Sequence, residues 1–420
     1  MRIIGASKLF LCDEDFQILP QGGVAFYEAH EGCENRGRIA EVGSFEALKE
    51  HYPGAKAEFY HDSVLLPGLI NAHTHLEFSA NVSTLKYGSF EEWLSSVLAR
   101  RELLMEHERV QRSMHAGLSE LLKSGTTGIG AISSHGIDLE ILASSPLRVC
   151  YFNEAIGSNP AALDALFSDF LARIEASKAH KSERFSPAVA LHSPYSLHPI
   201  LAKNALKEAH KLGGVVSAHF LESTEEREWL LEGKGFFEHF FARFLPDSHK
   251  PKPLYTPLEF LELFEGFEPI LVHGVQMRRE ELERAASMNA TLVSCPRSNR
   301  LLGGALLDIA KVRESGLKLA FATDGKSSNY SLSLLDELRI ALFAYPKMPL
   351  LSWAQELLLG VTRRAAGALK FESGELKSSL WADFALFEVE GIKDSSQEAV
   401  QLILHAKEAK ALYIAGERII

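Results

Sequence analysis

The chain has 420 residues, 46% of them hydrophobic, and a formal net charge of −11. That is material for one large α/β domain with a small companion, and an acidic balance without a basic block argues against nucleic-acid or membrane-surface binding. The four cysteines (Cys12, Cys33, Cys150, Cys295) are scattered and lack C-x-x-C spacing, so they read as reduced thiols. With no long apolar run, the expectation is a cytoplasmic protein.

Residues 1–63 hold short apolar segments, Ile3–Cys12, Gly23–Tyr27 and Arg38–Val42, which read as antiparallel strands before a short helix over Phe45–His51. From 64 to 370, apolar runs alternate with helical periodicity. The predicted strands are Val64–Ile70, Thr126–Ile132, Leu147–Asn153, Ala188–His192, Val215–His219, Pro269–His273, Thr291–Cys295 and Leu317–Thr323. Helices are expected over Phe90–Lys123, Pro160–Lys178, Pro199–Leu212, Arg278–Met288 and Leu332–Phe343. Eight such βα units fit a (β/α)8 TIM barrel. A doubly wound sheet is the alternative, but no G-x-G-x-x-G follows any of these strands.

Gly233–Thr256 reads as an inserted loop or lid. In 371–420, Trp381–Glu388, Ala399–His405 and Ala409–Ile414 read as strands, with a turn at 415–417. Neither chain end can close a sheet alone. Both are therefore expected to pair into one small flanking β-sandwich domain, 1–63 with 371–420.

In a TIM barrel the chemistry gathers at the C-terminal ends of the strands. Those ends carry His73 and His75 (first), His192 (fourth), His219 (fifth), His273 (sixth) and Asp324 (eighth). Residues i and i+2 of an extended backbone face the same side, so His73 and His75 can meet at one point. Any one histidine would more readily be a satisfied structural residue, but the set points to a metal site. His73, His75, His219 and Asp324 offer three imidazoles and a carboxylate, a donor set that suits one Zn²⁺ or Fe²⁺ with a position open for water. Glu222, three residues past His219, can reach back into the mouth as a proton shuttle. As a first-turn glutamate beside Glu225 and Glu226 it would equally favour the helix dipole.

The segments PGLINAHTH (67–75), AHFLE (218–222), VHG (272–274) and ATDG (322–325) resemble the amidohydrolase superfamily. Within it they resemble the mononuclear aminohydrolase branch of cytosine, guanine and S-adenosylhomocysteine deaminases and chlorohydrolases. The resemblance spans nearly the whole chain and extends to GELK (374–377) and WAD (381–383) in the flanking domain. It implies that His73, His75, His219 and Asp324 hold one ion. Asp324 and His273 would activate water, Glu222 would protonate a ring nitrogen, and His192 would face the substrate. HSPY at 192–195 stands where binuclear members carry a lysine. Trp93 and Glu102 match a segment that covers a nucleoside and holds its ribose, although Trp93 would also serve as a core aromatic. Ser298 and Asn299 match a motif near the pocket and carry lower weight.

DSVLLP (62–67), YGSFEEW (87–93), AISSH (131–135), SNRLLG (298–303) and LLDELR (334–339) most resemble the 6-amino-6-deoxyfutalosine deaminase group of that branch, which serves menaquinone biosynthesis. The implied reaction is metal-dependent hydrolytic deamination of a 6-aminopurine nucleoside, a small-molecule substrate, by a possible homodimer. The substrate's carboxylate would need a cation, with Arg100, Arg101, Arg148 and Arg300 as candidates. The rivals are another deaminase or chlorohydrolase of the same branch, and a non-catalytic scaffold of the same fold.

Overall fold

The computed structural model describes residues 1–29, 35–81, 83–243 and 250–420. Cys33 and part of the Gly233–Thr256 insertion lie outside the described residues.

The chain begins with β1 (Arg2–Phe10), β2 (Ile18–Phe26), β3 (Ile39–Ser44) and β4 (Lys56–Pro67). Eight parallel strands follow. They are β5 (Leu69–Thr74), β6 (Thr126–Ser133), β7 (Arg148–Ala155), β8 (Phe185–Leu191), β9 (Val216–Phe220), β10 (Ile270–His273), β11 (Thr291–Ser294) and β12 (Lys318–Phe321). Each pairs with the next in chain order. The last strands, β13 (Phe384–Glu388), β14 (Ala411–Ile414) and β15 (Glu417–Arg418), return to the first four. Together the two chain ends make one seven-stranded sheet of order β15-β14-β13-β4-β1-β2-β3. Its centre is the parallel β1–β4 pair, and β13 runs antiparallel along the other side of β4.

The eight-stranded sheet curls until β5 and β12 face each other. Side chains fasten this seam. Asn71 Nδ2 donates to Thr323 Oγ1 at 2.7 Å, Thr323 N donates to Asn71 Oδ1 at 3.1 Å, and Asp324 N donates to His73 O at 3.2 Å. The interior is filled by small and medium side chains, among them Ile70, Ala72, Ile132, Phe152, Ala188, Ala190 and Val272. The helix Arg363–Leu369 packs Ala365, Ala366 and Leu369 into the same cluster. Small inward residues leave room at the axis, so the residues at the strand ends can approach one another.

Three expectations change. Val64–Ile70 is not one barrel strand: Val64–Pro67 pair with β13, and the barrel begins at Leu69. The break falls where Pro67 lacks an N–H and where only glycine fits, since a Cβ at Gly68 would lie 2.1 Å from Thr127. Ala399–His405 is helical, within Glu398–His405, because its buried residues Ala399, Val400, Leu402 and Ile403 follow the helical period. The long helix expected over Phe90–Lys123 is three helices, Phe90–Ala99, Arg101–Leu104 and His107–Lys123. Among the described residues no helix is long and apolar enough to cross a membrane.

The two sheets are locked by Arg148, at the start of β7. Its guanidinium pairs with Asp383 through Nε to Oδ2 and through Nη2 to Oδ1, and lies 4.3 Å from the centroid of the Trp381 ring. Asp383 also accepts from Ala415 N at 2.7 Å. The Arg148 and Asp383 side chains are 3% and 1% exposed, so neither charge has water to fall back on. Arg148→Met would strand a buried carboxylate and is expected to cost about 3–5 kcal/mol of stability in urea unfolding. The double variant Arg148→Met/Asp383→Asn is expected to recover part of that loss.

Candidate metal and catalytic site

The C-terminal ends of the barrel strands bring the predicted residues to one mouth. His75 Nε2 lies 3.1 Å from His73 Nε2 and 3.2 Å from His219 Nε2. Asp324 Oδ1 stands 3.6 Å from His73 Nε2 and 3.5 Å from His75 Nε2. Hydrogen bonds among the imidazoles cannot satisfy this arrangement, because one Nε2–H has a single proton to give. A cation held among His73, His75 and Asp324 would satisfy these atoms, and His219 stands beside them through His75. Bonds of about 2.0–2.1 Å in tetrahedral geometry put ligand atoms about 3.4 Å apart, close to the spacings seen here. Burial also suits the role. It lowers the pKa of His73, His219 and His273, pushes His192 to about 4 and, with the neighbouring imidazoles, His75 to about 3. Neutral imidazoles keep their lone pairs.

The supporting bonds fix which atom each group presents. His219 Nδ1 donates to His192 O at 2.8 Å, which leaves Nε2 toward the centre. Asp324 Oδ2 accepts from Ser298 Oγ at 2.7 Å and Ser328 Oγ at 2.6 Å, which turns Oδ1 to the imidazoles. Burial alone would raise the Asp324 pKa, but the hydrogen bond to His73 and the facing His75 and His273 outweigh it and hold the carboxyl well below its usual range. Three strand ends bend through left-handed backbone: Leu221 at φ 50°, His273 at 72° and Asp324 at 60°. That conformation is costly for side chains of this size, and such strain concentrates at functional sites.

Glu222 sits with its Oε1 3.5 Å from His273 Nε2, and the ligand atoms of Glu222, His273 and Asp324 lie within 4.8 Å of one another. Burial, reinforced by Asp324 and Glu225, raises the Glu222 pKa well above the usual carboxyl value. Its backbone is held from the following helix, where Glu226 accepts from Leu221 N at 3.1 Å and Glu222 N at 2.8 Å. His273 Nδ1 meets Asn299 Oδ1 at 2.9 Å, which leaves its Nε2 as an acceptor toward the cavity.

These groups form the floor of a cavity of about 340 Å³. Its walls include Phe78, Trp93, Leu94, Val97, Tyr195 and Ile156, with His135, Glu154 and His192 nearer the floor. Trp93 Nε1 donates to Ser327 O at 2.9 Å. His192 is held through Nδ1 by Ser196 Oγ at 2.5 Å.

Not every candidate is here. Glu102 is exposed on Arg101–Leu104 and is not part of the cavity wall, because the chain turns at Arg100 and puts Arg101, Leu104 and Met105 there instead. Arg148 is committed to Asp383, and neither Arg100 nor Arg300 lines the cavity. Conversely, Glu154 at the end of β7 went unread. It accepts from Ser134 Oγ at 2.5 Å, lies 3.8 Å from His219 Nδ1, and is pushed by burial to about 7. A carboxylate inside the apolar run 148–155 was the available signal.

A family model described as "Amidohydrolase family" matches residues 64–419. An aminodeoxyfutalosine deaminase of Nitratiruptor sp. is 45% identical over 381 residues, 90% of this chain and 93% of that one. An adenosine deaminase of Helicobacter pylori is 41% identical over 421 residues, covering 100% of this chain and 99% of the relative. The crystal structure of Helicobacter pylori aminofutalosine deaminase in complex with methylthio-coformycin superimposes with a TM-score of 0.92 at 40% identity, over 100% of both chains. A zinc-complexed atrazine chlorohydrolase of Arthrobacter aurescens shares the fold at TM-score 0.81 and 19% identity. The seam-closed barrel, the sheet from both chain ends and these matches agree: the chain belongs to the amidohydrolase family.

Proposed function

We propose that this chain is a metal-dependent hydrolytic deaminase of 6-aminopurine nucleosides, with 6-amino-6-deoxyfutalosine as its substrate. The carrying observation is the adjacency of Glu222, with its raised pKa, to His273 and Asp324, the latter grouped in turn with His73 and His75. The choice of nucleoside draws on the names of the Nitratiruptor relative and the Helicobacter structure.

In this reading His73, His75, His219 and Asp324 hold one Zn²⁺ or Fe²⁺. The bound ion would supply the charge that acidifies water toward neutral pH. Asp324 and His273 flank the attacking water and take up its proton, the latter at the Nε2 left free by Asn299. Glu222, whose pKa burial raises, gives a proton to N1 as the water oxygen bonds to C6. The proton taken from water then passes to the exocyclic amine, the C6–N bond breaks and ammonia leaves, while the C6 hydroxyl gives its proton to Glu222 and becomes the 6-oxo group. Trp93 and His192 contact the bound nucleoside from the wall and floor of the cavity.

His219→Ala is expected to lose both activity and bound ion, read by elemental analysis against the parent protein. Glu222→Gln keeps the ion and loses roughly 10²–10⁴-fold in kcat; near-normal turnover would remove the proton-transfer role. Asn299→Leu frees the His273 ring and is expected to lower kcat about 10–100-fold at unchanged ion content. Because one relative is named an adenosine deaminase, a panel decides the substrate. Ammonia release should be fastest with aminodeoxyfutalosine, and faster turnover of adenosine or methylthioadenosine would assign the chain to another deaminase of the family.

A further inference from the structure

Three side chains that steer the reacting groups come from two separate segments. Ser298 and Asn299 lie in Pro296–Leu302, the short helix after β11, and Ser328 lies in the loop after β12. What joins these segments is a buried ion pair. Arg297, next to Ser298, donates from Nε to Glu337 Oε2 at 2.6 Å and from its backbone N to Oε1 at 2.8 Å. Its Nη2 donates to Ser331 O and Ser333 O, both at 3.1 Å. Glu337 Oε2 also accepts from Asn329 Nδ2 at 3.3 Å, and the same amide donates to Thr323 O at 2.6 Å. Asn329 adjoins Ser328, and Thr323 adjoins Asp324. The Arg297 and Glu337 side chains are 3% and 0% exposed, and neither lines the cavity.

We propose that Arg297 and Glu337 are positioning residues of the reaction: their pair bolts the two segments together and so sets Ser298, Asn299 and Ser328 against Asp324 and His273. The assignment rests on the deaminase reading above, in which Asp324 and His273 flank the attacking water. Stability alone gives little reason for such a pair, because apolar side chains of similar volume often serve a buried site as well. Registry gives a reason. The carboxylate holds the first turn of Pro296–Leu302 through a backbone N–H, and the guanidinium holds residues 331 and 333 through their carbonyls. Both groups are planar and present their bonds in fixed directions, so neither segment can slide without breaking one. A displacement of about 1 Å at reacting groups costs about 10²-fold in rate.

The test reads kcat, KM, bound ion and melting temperature of the metal-loaded protein with the fastest nucleoside of the panel. Glu337→Gln should keep its ion and a near-parental KM, and lose about 10–100-fold in kcat. Arg148→Met breaks a similarly buried ion pair at the other end of the barrel strands, and should lower the melting temperature without lowering kcat of the folded protein. In a chain already carrying Asn299→Leu and Ser328→Ala, Glu337→Gln should cost little more, because the groups it acts through are gone. If Glu337→Gln does not fold, Arg297→Lys takes its place. It retains the charge but not the two carbonyl bonds, and should lose about tenfold in kcat. A parental kcat in the folded variant overturns the assignment. So does a loss that Arg148→Met matches at equal melting temperature, or the full loss repeated in the doubly substituted chain. Those outcomes with an active parent leave the deaminase reading standing, whereas a parent that releases no ammonia from any nucleoside of the panel sinks both.

Discussion

The seam between the first and last barrel strands carries the rest of the structure. β5 and β12 are far apart in sequence, and the amide of Asn71 clasps both the side chain and the backbone of Thr323. One residue later, Asp324 N reaches His73 O. The bonds that close the cylinder therefore also set His73 and His75 against Asp324. Register at the seam and geometry at the His/Asp cluster are one constraint. A slip of one residue along β12 would turn Asp324 away from the imidazoles and send a neighbour inward.

From that constraint the electrostatics follow. Donors packed at 3.1–3.6 Å in a buried mouth are what a bound cation would stabilise. Ser298 and Ser328 commit one oxygen of Asp324 and so direct the other to the centre. A few ångströms away burial pushes Glu222 the same way, upward, but there Asp324 and Glu225 add to it, whereas at Asp324 the facing imidazoles outweigh it. Two carboxyl groups in one cavity thereby have their pKa values pushed in opposite directions by their surroundings, which is what the proposed division into ligand and acid requires.

Much of this was legible in the residues, for identifiable reasons. His73 and His75 could be placed on one side because a strand repeats every two residues, and Asp324 because an apolar run stops at it. The barrel was legible from the alternation of runs. Other features have no local signature. The left-handed turns at Leu221, His273 and Asp324 are imposed by tertiary packing. Ser298 and Asn299 drew little weight as sequence, yet they hold the Asp324 and His273 side chains directly. Glu102 was aligned by resemblance with a nucleoside-binding position, but the helix break at Arg100 leaves it outside the cavity wall. Ala399–His405 reads as a strand from its short apolar run, and its helical spacing emerges only from which of its residues the fold buries.

The interleaving of the two chain ends has a consequence for how the molecule is made. β4 emerges from the ribosome before any part of the barrel, whereas β13, which covers its far edge, follows the whole barrel. Throughout translation of the intervening segment, β4 offers a row of unpaired amides and carbonyls, the kind of template that recruits foreign strands. Arg148 in β7 likewise waits for Trp381 and Asp383, which cover and pair its guanidinium. The nascent chain thus keeps an open sheet edge until its last strands dock, and a fragment ending before β13 would retain that edge.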